Sequence, residues 1–161
     1  MGVRLDDNEV WERVSAAHTG ILTTLRRDGR PVPLPVWFAV VDRAIYVSTV
    51  ATTTKVARVR RDRRAAFLVE SGRAWRELSA VLLHVDVTEV TDAGERERGQ
   101  QAIDAKYAAH RTARGAVPAR TAAHYAKPRV VLRLDIVEAP LSWDNARIPV
   151  AAGAAQERAH P

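Results

Sequence analysis

The sequence has 161 residues, a formal net charge of +6 at pH 7 and no cysteine. This length is typical of one domain of roughly 100 to 200 residues, and the lack of cysteine excludes disulfides, thiolate zinc sites and cysteine nucleophiles. No apolar run approaches the roughly 18 residues of a membrane helix, and the acidic start over residues 1–9 differs from a signal peptide. We therefore expect one cytoplasmic domain over residues 1–147, without membrane contact, and a disordered tail over residues 148–161.

The surplus of positive charge is compatible with nucleic acid or with a small anionic ligand. Nearly all the cations are arginine, which together with abundant alanine is typical of a GC-rich genome. Acidic residues are interspersed among them, and no predicted helix carries the unbroken basic stripe that tracks a phosphate backbone. We therefore expect a small anionic ligand and no nucleic acid. The five histidines lack close ligand spacing, so we expect no metal site.

Near the start of the chain, the spacing of apolar residues changes from that of a helix to that of a strand. N-cap oxygens at residues 6–8, followed by apolar residues at helical spacing up to Ala17, predict a short helix that covers a barrel. Residues 20–25 predict a strand, and the Asp-Gly pair at residues 28–29 predicts the hairpin turn after it. The return strand, residues 31–41, has prolines at alternate positions, which predicts the edge of a sheet.

The rest of the chain alternates strands with short helices. Further strands are predicted over residues 44–49, 64–70, 75–90 and 130–136. Helices are predicted after a threonine cap near residue 54, from an Asp92/Glu95 capping box to about residue 111, and over residues 122–125. About six antiparallel strands with only short helices between them predict a mainly β fold, a small barrel, because closure hides the edges of such a sheet.

The first candidate site spans residues 48–61. A strand ends in hydroxyl side chains, a threonine cluster follows, and Lys55 falls in the first turn of a helix whose free N–H groups and dipole favour anions. These features are typical of a phosphate site. They fit equally well threonines that only cap the helix, with an exposed Lys55 and arginines that solvate its outer face.

The second candidate site spans residues 33–38. A strand disrupted by proline exposes backbone groups that a flat heterocycle can hydrogen-bond, and Trp37 or Phe38 can pack against its ring. The alternative is an ordinary barrel core with edge prolines. Neither segment matches a P-loop or a dinucleotide fingerprint, so the residues alone leave both interpretations open.

Six short motifs follow one another along the chain: Gly20-Ile21-Leu22-Thr23-Thr24-Leu25, Asp28-Gly29-Arg30-Pro31, Pro35-Val36-Trp37-Phe38, Tyr46-Val47-Ser48-Thr49, Thr54-Lys55 and Arg60-Arg61-Asp62. Their order and gaps resemble the pyridoxamine-phosphate-oxidase-like split β-barrel superfamily, and within it the flavin and deazaflavin oxidoreductases of actinobacteria. The similarity covers residues 11–90 well and residues 128–143 more loosely.

The resemblance implies a split β-barrel and a homodimer that binds FMN or the deazaflavin coenzyme F420 in a groove between subunits. One group of residues would hold the cofactor phosphate and another would line the ring. The phosphate group is Thr53, Thr54 and Lys55, supported by Ser48 and Thr49, and the ring group is Pro35, Val36 and Trp37.

Two departures from the family pattern bear on these assignments. Deazaflavin-binding relatives often have arginine two residues after the lysine and asparagine after that, whereas this sequence has Ala57 and Arg58. Arg58 would then reach the phosphate or the acidic tail of the cofactor. The long strand has His84 near its middle where glycine is usual, and we interpret it as a core or interface histidine and not as a catalytic one.

The function that we expect is hydride transfer from coenzyme F420 to an unsaturated or quinone-like small molecule, since surplus positive charge suits an anionic cofactor. The alternatives are an FMN-dependent oxidase or reductase, and a non-catalytic protein that binds flavin, deazaflavin or heme. The cofactor supplies the reactive chemistry, so no catalytic residue is assigned. Oxidation of pyridoxamine phosphate itself is not expected, because no arginine-rich segment follows Leu141.

Overall fold

The computed structural model describes residues 3–150, without the side chain of Arg114, and consists of a curled antiparallel sheet with four α-helices. The helices are α1 Asp7–Ala16, α2 Thr54–Arg61, α3 Ala93–Lys106 and α4 Ala119–Tyr125. The strands are β1 Gly20–Leu25, β2 Pro31–Val36, β3 Ala39–Val41, β4 Ala44–Val50, β5 Arg64–Ser71, β6 Ser79–Glu89, β7 Arg129–Ile136 and β8 Leu141–Asp144. None of these helices has the length and apolar character needed to cross a membrane. Most of the predicted tail, residues 151–161, lies outside the described residues.

The order of the strands shows why the sheet curls. It runs β2-β1-β5-β6-β7-β4-β3, and β8 pairs with the first half of β6. Its two end strands, β2 and β3, are joined by only Trp37 and Phe38. The ends must therefore come close together, and the sheet forms a half-barrel. The prediction of a mainly β, antiparallel fold is confirmed.

The concave side of the sheet holds the main hydrophobic core. Phe38 and Phe67 are fully buried there and meet edge to face, with ring centroids 4.9 Å apart. As the helical spacing predicted, α1 contributes Val10 and Val14 to the same core. Each such side chain stabilises the fold by roughly 1.5–3 kcal/mol when it leaves water.

A second, smaller cluster attaches α3 to the outer side of β4 and β7. It includes Tyr46, Ile103 and Tyr107. The helix can approach because it presents Gly99: a Cβ there would lie only 2.8 Å from Cδ1 of Tyr46. This contact places the polar face of α3 beside the end of β4, where the first candidate site begins.

Residues 31–41 form two strands, although the sequence predicted one. β2 pairs with β1, whereas β3 pairs with β4, because the chain crosses from one end of the sheet to the other at Trp37 and Phe38. The expectation that the prolines lie at an edge is confirmed, since β2 is an end strand. With Leu141–Asp144, which the sequence did not predict, the described residues contain eight strands and not about six.

Two other boundaries also differ from the predictions. The predicted strand over residues 75–90 begins only at Ser79, because Trp75–Glu77 forms a 3₁₀ turn in which the Glu77 carboxylate accepts the N–H groups of Arg73 and Ala74. The predicted capping box at α3 is half formed. Asp92 accepts the N–H of Glu95, but the Glu95 carboxylate bonds with Tyr46 and Arg133 instead of returning to the cap. The helix ends at Lys106, earlier than predicted.

Candidate functional site

A cavity of about 280 Å³ lies where the end of β2, the end of β4 and the start of α2 meet. The end of α4 and the first residue of β7 line its other side. The cavity has a cationic end and an aromatic end. Its lining residues are Pro35, Val36, Trp37, Val47, Ser48, Thr49, Val50, Thr53, Lys55, His124, Tyr125 and Arg129.

Two cations, Lys55 and Arg129, form the cationic end. Burial lowers the pKa of Lys55, and the positive charge of Arg129 lowers it further. Burial also lowers the pKa of Arg129. Among residues 3–150, neither side chain forms an ion pair with a carboxylate. Two desolvated cations side by side destabilise each other, so this end of the cavity favours an anion.

Hydroxyl groups surround the two cations. Arg129 donates from Nε to Ser48 Oγ at 3.0 Å and from Nη2 to the Ser48 carbonyl at 2.9 Å. Thr53 occupies the N-cap position of α2, as predicted, but its hydroxyl makes no capping hydrogen bond. Its Oγ1 is buried and has no partner among the described residues. A buried hydroxyl without a partner is costly, and it can donate to a ligand in this cavity.

The aromatic end is fixed by Tyr107. Trp37 stacks on the Tyr107 ring, with centroids 4.3 Å apart and the two planes within 1°. The Tyr107 hydroxyl accepts the N–H of Phe38 at 3.1 Å and donates to the His18 carbonyl at 2.6 Å. Trp37 itself remains 39% exposed. The indole is therefore held rigidly while part of its surface stays free for a planar ligand.

The structure brings seven of the nine predicted site residues to this cavity. Lys55 is half-buried, so the interpretation of an exposed lysine was wrong. Thr54 is exposed and Arg58 lies one turn further along α2, and neither lines the cavity. The seven lining residues are Pro35, Val36, Trp37, Ser48, Thr49, Thr53 and Lys55. Their role in binding a cofactor stays a prediction.

The sequence did not predict the contribution of Arg129. It lies at the start of β7 and pairs with Val50 at the end of β4. Both strands were predicted, but their pairing was not, and only this pairing brings residue 129 next to residue 48. The sequence around Arg129 offers one local clue to a site: the arginine directly follows Pro128 at the start of a predicted strand. His124 and Tyr125 were also missed, because no local pattern in the sequence shows that α4 lies beside the start of α2.

His84 lies away from this cavity. Its side chain is 42% exposed, and its Nδ1 lies 2.5 Å from Oε1 of Glu138. It is therefore not a core histidine. Within residues 3–150, no group of three or more His, Cys, Asp or Glu side chains is arranged to hold a metal ion.

The residues of the cavity fit the phosphate end of a flavin-type cofactor. Among residues 3–150, the two cations have no counter-ion and the buried Thr53 hydroxyl has no partner, which matches the charge and the acceptor oxygens of a phosphate group. The volume of about 280 Å³ lies just below the roughly 300–1,000 Å³ of complete small-molecule sites. The cavity is therefore smaller than the usual complete site for a small molecule.

A curled antiparallel half-barrel with this cavity at the crossing of its end strands is a split β-barrel, as expected. The sequence profile described as pyridoxamine 5'-phosphate oxidase matches residues 7–141. The chain belongs to that family. Comparison with curated protein sequences gives no significant match.

Several solved structures share the fold. A conserved hypothetical protein from Mycobacterium tuberculosis has a TM-score of 0.75 at 24% identity, over 96% of this chain and 97% of that one. A FAD-binding protein from Mesorhizobium loti has a TM-score of 0.66 at 22% identity, over 86% and 93% of the two chains. A heme-binding protein from Mycobacterium smegmatis has a TM-score of 0.62 at 15% identity, over 84% of this chain and 56% of that one. At these identities, the similarity shows the fold alone.

Proposed function

We propose that this protein is a flavin-type oxidoreductase that binds coenzyme F420 and reduces an unsaturated or quinone-like small molecule. One observation carries the proposal. Lys55 and Arg129 face the same cavity without a counter-ion among the described residues, and the buried Thr53 hydroxyl beside them has no partner.

A bound phosphate group would interact favourably with Lys55, Arg129 and the Thr53 hydroxyl. It would neutralise the repulsion between Lys55 and Arg129 and would accept the Thr53 hydroxyl proton. The N-terminus of α2 adds partial positive charge to the same place. Hydrogen bonds to a charged group are each worth roughly 1.5–3 kcal/mol, so this end would supply most of the affinity.

The aromatic end would position the ring. Pro35 and Val36 supply apolar surface, and Trp37 is held by its stack on Tyr107. The bound deazaflavin or flavin supplies hydride chemistry. The chain's own residues bind the cofactor, orient its ring towards the substrate and exclude water from one of its faces.

Two alternatives share the same site. FMN also carries a phosphate group, and the protein from Mesorhizobium loti that shares this fold is a FAD-binding protein. The protein from Mycobacterium smegmatis that shares this fold is a heme-binding protein, so heme binding is the second alternative. The carboxylates of heme would also pair with the two cations. The Thr53 hydroxyl, which has no partner among the described residues, and the free N–H groups at the start of α2 suit the several acceptor oxygens of one phosphate, and they favour a phosphorylated cofactor over heme.

We propose further that the site is completed by a second copy of the chain. An apolar row crosses the outer face of five strands, because Pro35 pairs with Ile21, Ile21 with Leu68, Leu68 with Leu82, and Leu82 with Leu141. All five side chains are exposed or half-exposed. The row begins at Pro35, which also lines the cavity, so a chain that covers the row would extend the wall of the site.

Spectroscopy and light scattering test this proposal. Protein titrated with coenzyme F420, FMN and heme should quench deazaflavin fluorescence at lower concentration than it quenches FMN fluorescence, and should show no Soret shift. Scattering should give about twice the 17.8 kDa chain mass. Tight heme binding without binding of either phosphorylated cofactor would overturn the proposed function, and a monomer that binds cofactor fully would overturn the shared site.

A further inference from the structure

The segment between α3 and β7, which contains α4, packs differently from the other helical parts of the chain. Each of α1, α2 and α3 buries two residues, as an amphipathic helix on a core does. None of the residues of α4 is buried. In the rest of the segment, residues 111–128, none of the described side chains is buried either. The segment therefore lies on the surface without an apolar face that attaches it to the core.

Hydrogen bonds attach this segment to the fold only at its two ends. At its start, Arg111 pairs with the carboxylate of Asp104 in α3. At its end, the Pro128 carbonyl accepts the N–H of Ala51 at 2.9 Å. The hydrogen bonds that the described groups of residues 112–127 make all lie within the segment. Residues 112–127 thus form a strap that is fixed at both ends and free between them.

The strap has low local stability. Its helix has seven residues, whereas isolated helices need roughly 12–15 residues to be even marginally stable in water. Most short helices in proteins are stabilised by tertiary packing, and α4 lacks a buried face. Segments with few buried contacts open at a much lower free-energy cost than the core. Residues 112–127 can therefore open while the sheet and the other helices stay folded.

The same strap supplies two residues of the cavity, His124 and Tyr125. Their rings meet edge to face, with centroids 5.2 Å apart. The Tyr125 side chain is 61% exposed although it lines a cavity. A large aromatic side chain that is this exposed gains apolar contact when a ligand fills the space beside it. A bound ligand would thus give the strap a contact that the unliganded chain does not provide.

We infer that residues 112–127 are a lid, which opens to admit the ligand of the cavity and closes when His124 and Tyr125 contact it. This inference rests on the proposed function, because that ligand is the phosphorylated cofactor held by Lys55 and Arg129. A ligand shifts an opening equilibrium only if it binds one state more tightly, and the contacts of His124 and Tyr125 supply that difference. The lid then sets how long the cofactor stays bound.

Hydrogen–deuterium exchange, read by mass spectrometry, tests whether the strap closes as a unit. With saturating FMN or coenzyme F420, the amides of residues 112–127 should exchange at least about tenfold more slowly than without it. The turn over residues 26–30 is the internal control, because it is exposed and lies at the opposite end of β1 and β2 from Val36. Residues 112–123 line no part of the cavity, so a rigid wall would gain protection only near Tyr125.

Two variants separate the motion of the lid from its contact with the cofactor. Ala123→Gly removes no contact with the cavity, because Ala123 is exposed and lines no part of it. The lower helix propensity of glycine should speed exchange of the unliganded strap, and release of the cofactor, by about two- to fivefold. Ala105→Gly is the matched control, since Ala105 is an exposed alanine of α3 outside the strap.

Tyr125→Ala should speed release of the cofactor about tenfold, mostly without changing the rate of association, and should reduce the protection of the strap. Its unfolding temperature should equal that of wild type, because the side chain is exposed. Cofactor binding without protection of residues 112–123, or equal release rates in Ala123→Gly and Ala105→Gly, would overturn the lid and leave the proposed function standing. Failure of both FMN and coenzyme F420 to bind would overturn both.

Discussion

The two ends of the cavity are built in opposite ways. At the aromatic end, Trp37 is stacked on the buried Tyr107, and the Tyr107 hydroxyl has both a donor and an acceptor among its neighbours. At the cationic end, Lys55 and Arg129 repel each other and Thr53 Oγ1 has no partner among the described residues. The aromatic end is complete without a ligand, whereas the cationic end is not.

This difference indicates that one end of the cavity stabilises the fold and the other end binds the ligand. Satisfied groups with close packing contribute to the stability of the fold. Desolvated cations and an unpaired hydroxyl reduce it, and such groups are typical of sites where stability is exchanged for binding. Substitutions at the aromatic end should therefore mainly change stability, and substitutions at the cationic end should mainly change cofactor affinity.

The largest effect is expected at Tyr107. Tyr107→Ala should lower the free energy of unfolding by roughly 3–5 kcal/mol, because it removes a fully buried aromatic side chain and leaves a cavity. Tyr107→Phe should cost about 1–3 kcal/mol, because the Phe38 N–H loses its side-chain acceptor. Urea unfolding measures both values. A loss below about 1 kcal/mol for Tyr107→Ala would mean that the aromatic end is not a structural support.

The next largest effect is expected at Lys55. Lys55→Ala should weaken cofactor binding by about ten- to a hundredfold, since it removes a charge-assisted contact with the phosphate. The variant should unfold at the same temperature as wild type or slightly higher, because a desolvated cation is lost. Arg61→Ala is the control: that guanidinium contacts the Leu25 carbonyl at 2.5 Å, away from the cavity. Equal affinities of the two variants would place the phosphate elsewhere.

The affinity should also depend on pH in a direction set by Lys55. Its pKa lies below that of an ordinary lysine, about 10.4, so it loses its charge at lower pH. Binding of the phosphate should therefore weaken by several-fold as the pH rises from about 7 to about 10. The stability of the unliganded protein should change in the opposite direction, rising between the lowered pKa and about 10.4, because the unfolded chain then binds more protons.

Lys55→Arg provides the control for this pH dependence, because a guanidinium stays charged throughout the range. Its affinity should vary less with pH than that of wild type. An identical decline in both proteins would show that another group, or the cofactor itself, titrates.

The smallest effect is expected at Thr53. Thr53→Val keeps the shape of the side chain but removes its hydroxyl, so the affinity for a phosphorylated cofactor should fall by about two- to tenfold. The unliganded protein should be no less stable, because the hydroxyl that is lost has no partner in the part of the chain that the structure describes. Thr54→Val is the matched control, since Thr54 is exposed and lies outside the cavity. A clear loss of stability only in Thr53→Val would show that the hydroxyl is needed for the fold.

The features that the sequence predicted correctly are those that depend on residues close together in the chain. Strand periods, the Asp-Gly turn at residues 28–29 and the edge prolines were readable because each depends on a few neighbours in the chain. The threonine and lysine cluster at the start of α2 was readable for the same reason. The short strand β8 has only four residues, too few for a period to be recognised.

The features that were missed depend on contacts between distant segments. Arg129 reaches the site only because β7 pairs with β4, and Tyr107 supports Trp37 across a separation of 70 residues. The exposure of Lys55 was misjudged because α4 and the start of β7, which close the cavity, have no local link to α2. Local patterns therefore found one side of the site, and the other side required the fold.

The most direct test of the cationic end compares a phosphorylated cofactor with the same ring system without phosphate. FMN and riboflavin are such a pair, and fluorescence titration gives both affinities for wild type, Lys55→Ala, Arg129→Ala and the double variant. Wild type should prefer FMN by at least about a hundredfold, and the double variant should bind the two within about threefold of each other. A preference for FMN that persists in the double variant would contradict the assignment of Lys55 and Arg129 to the phosphate.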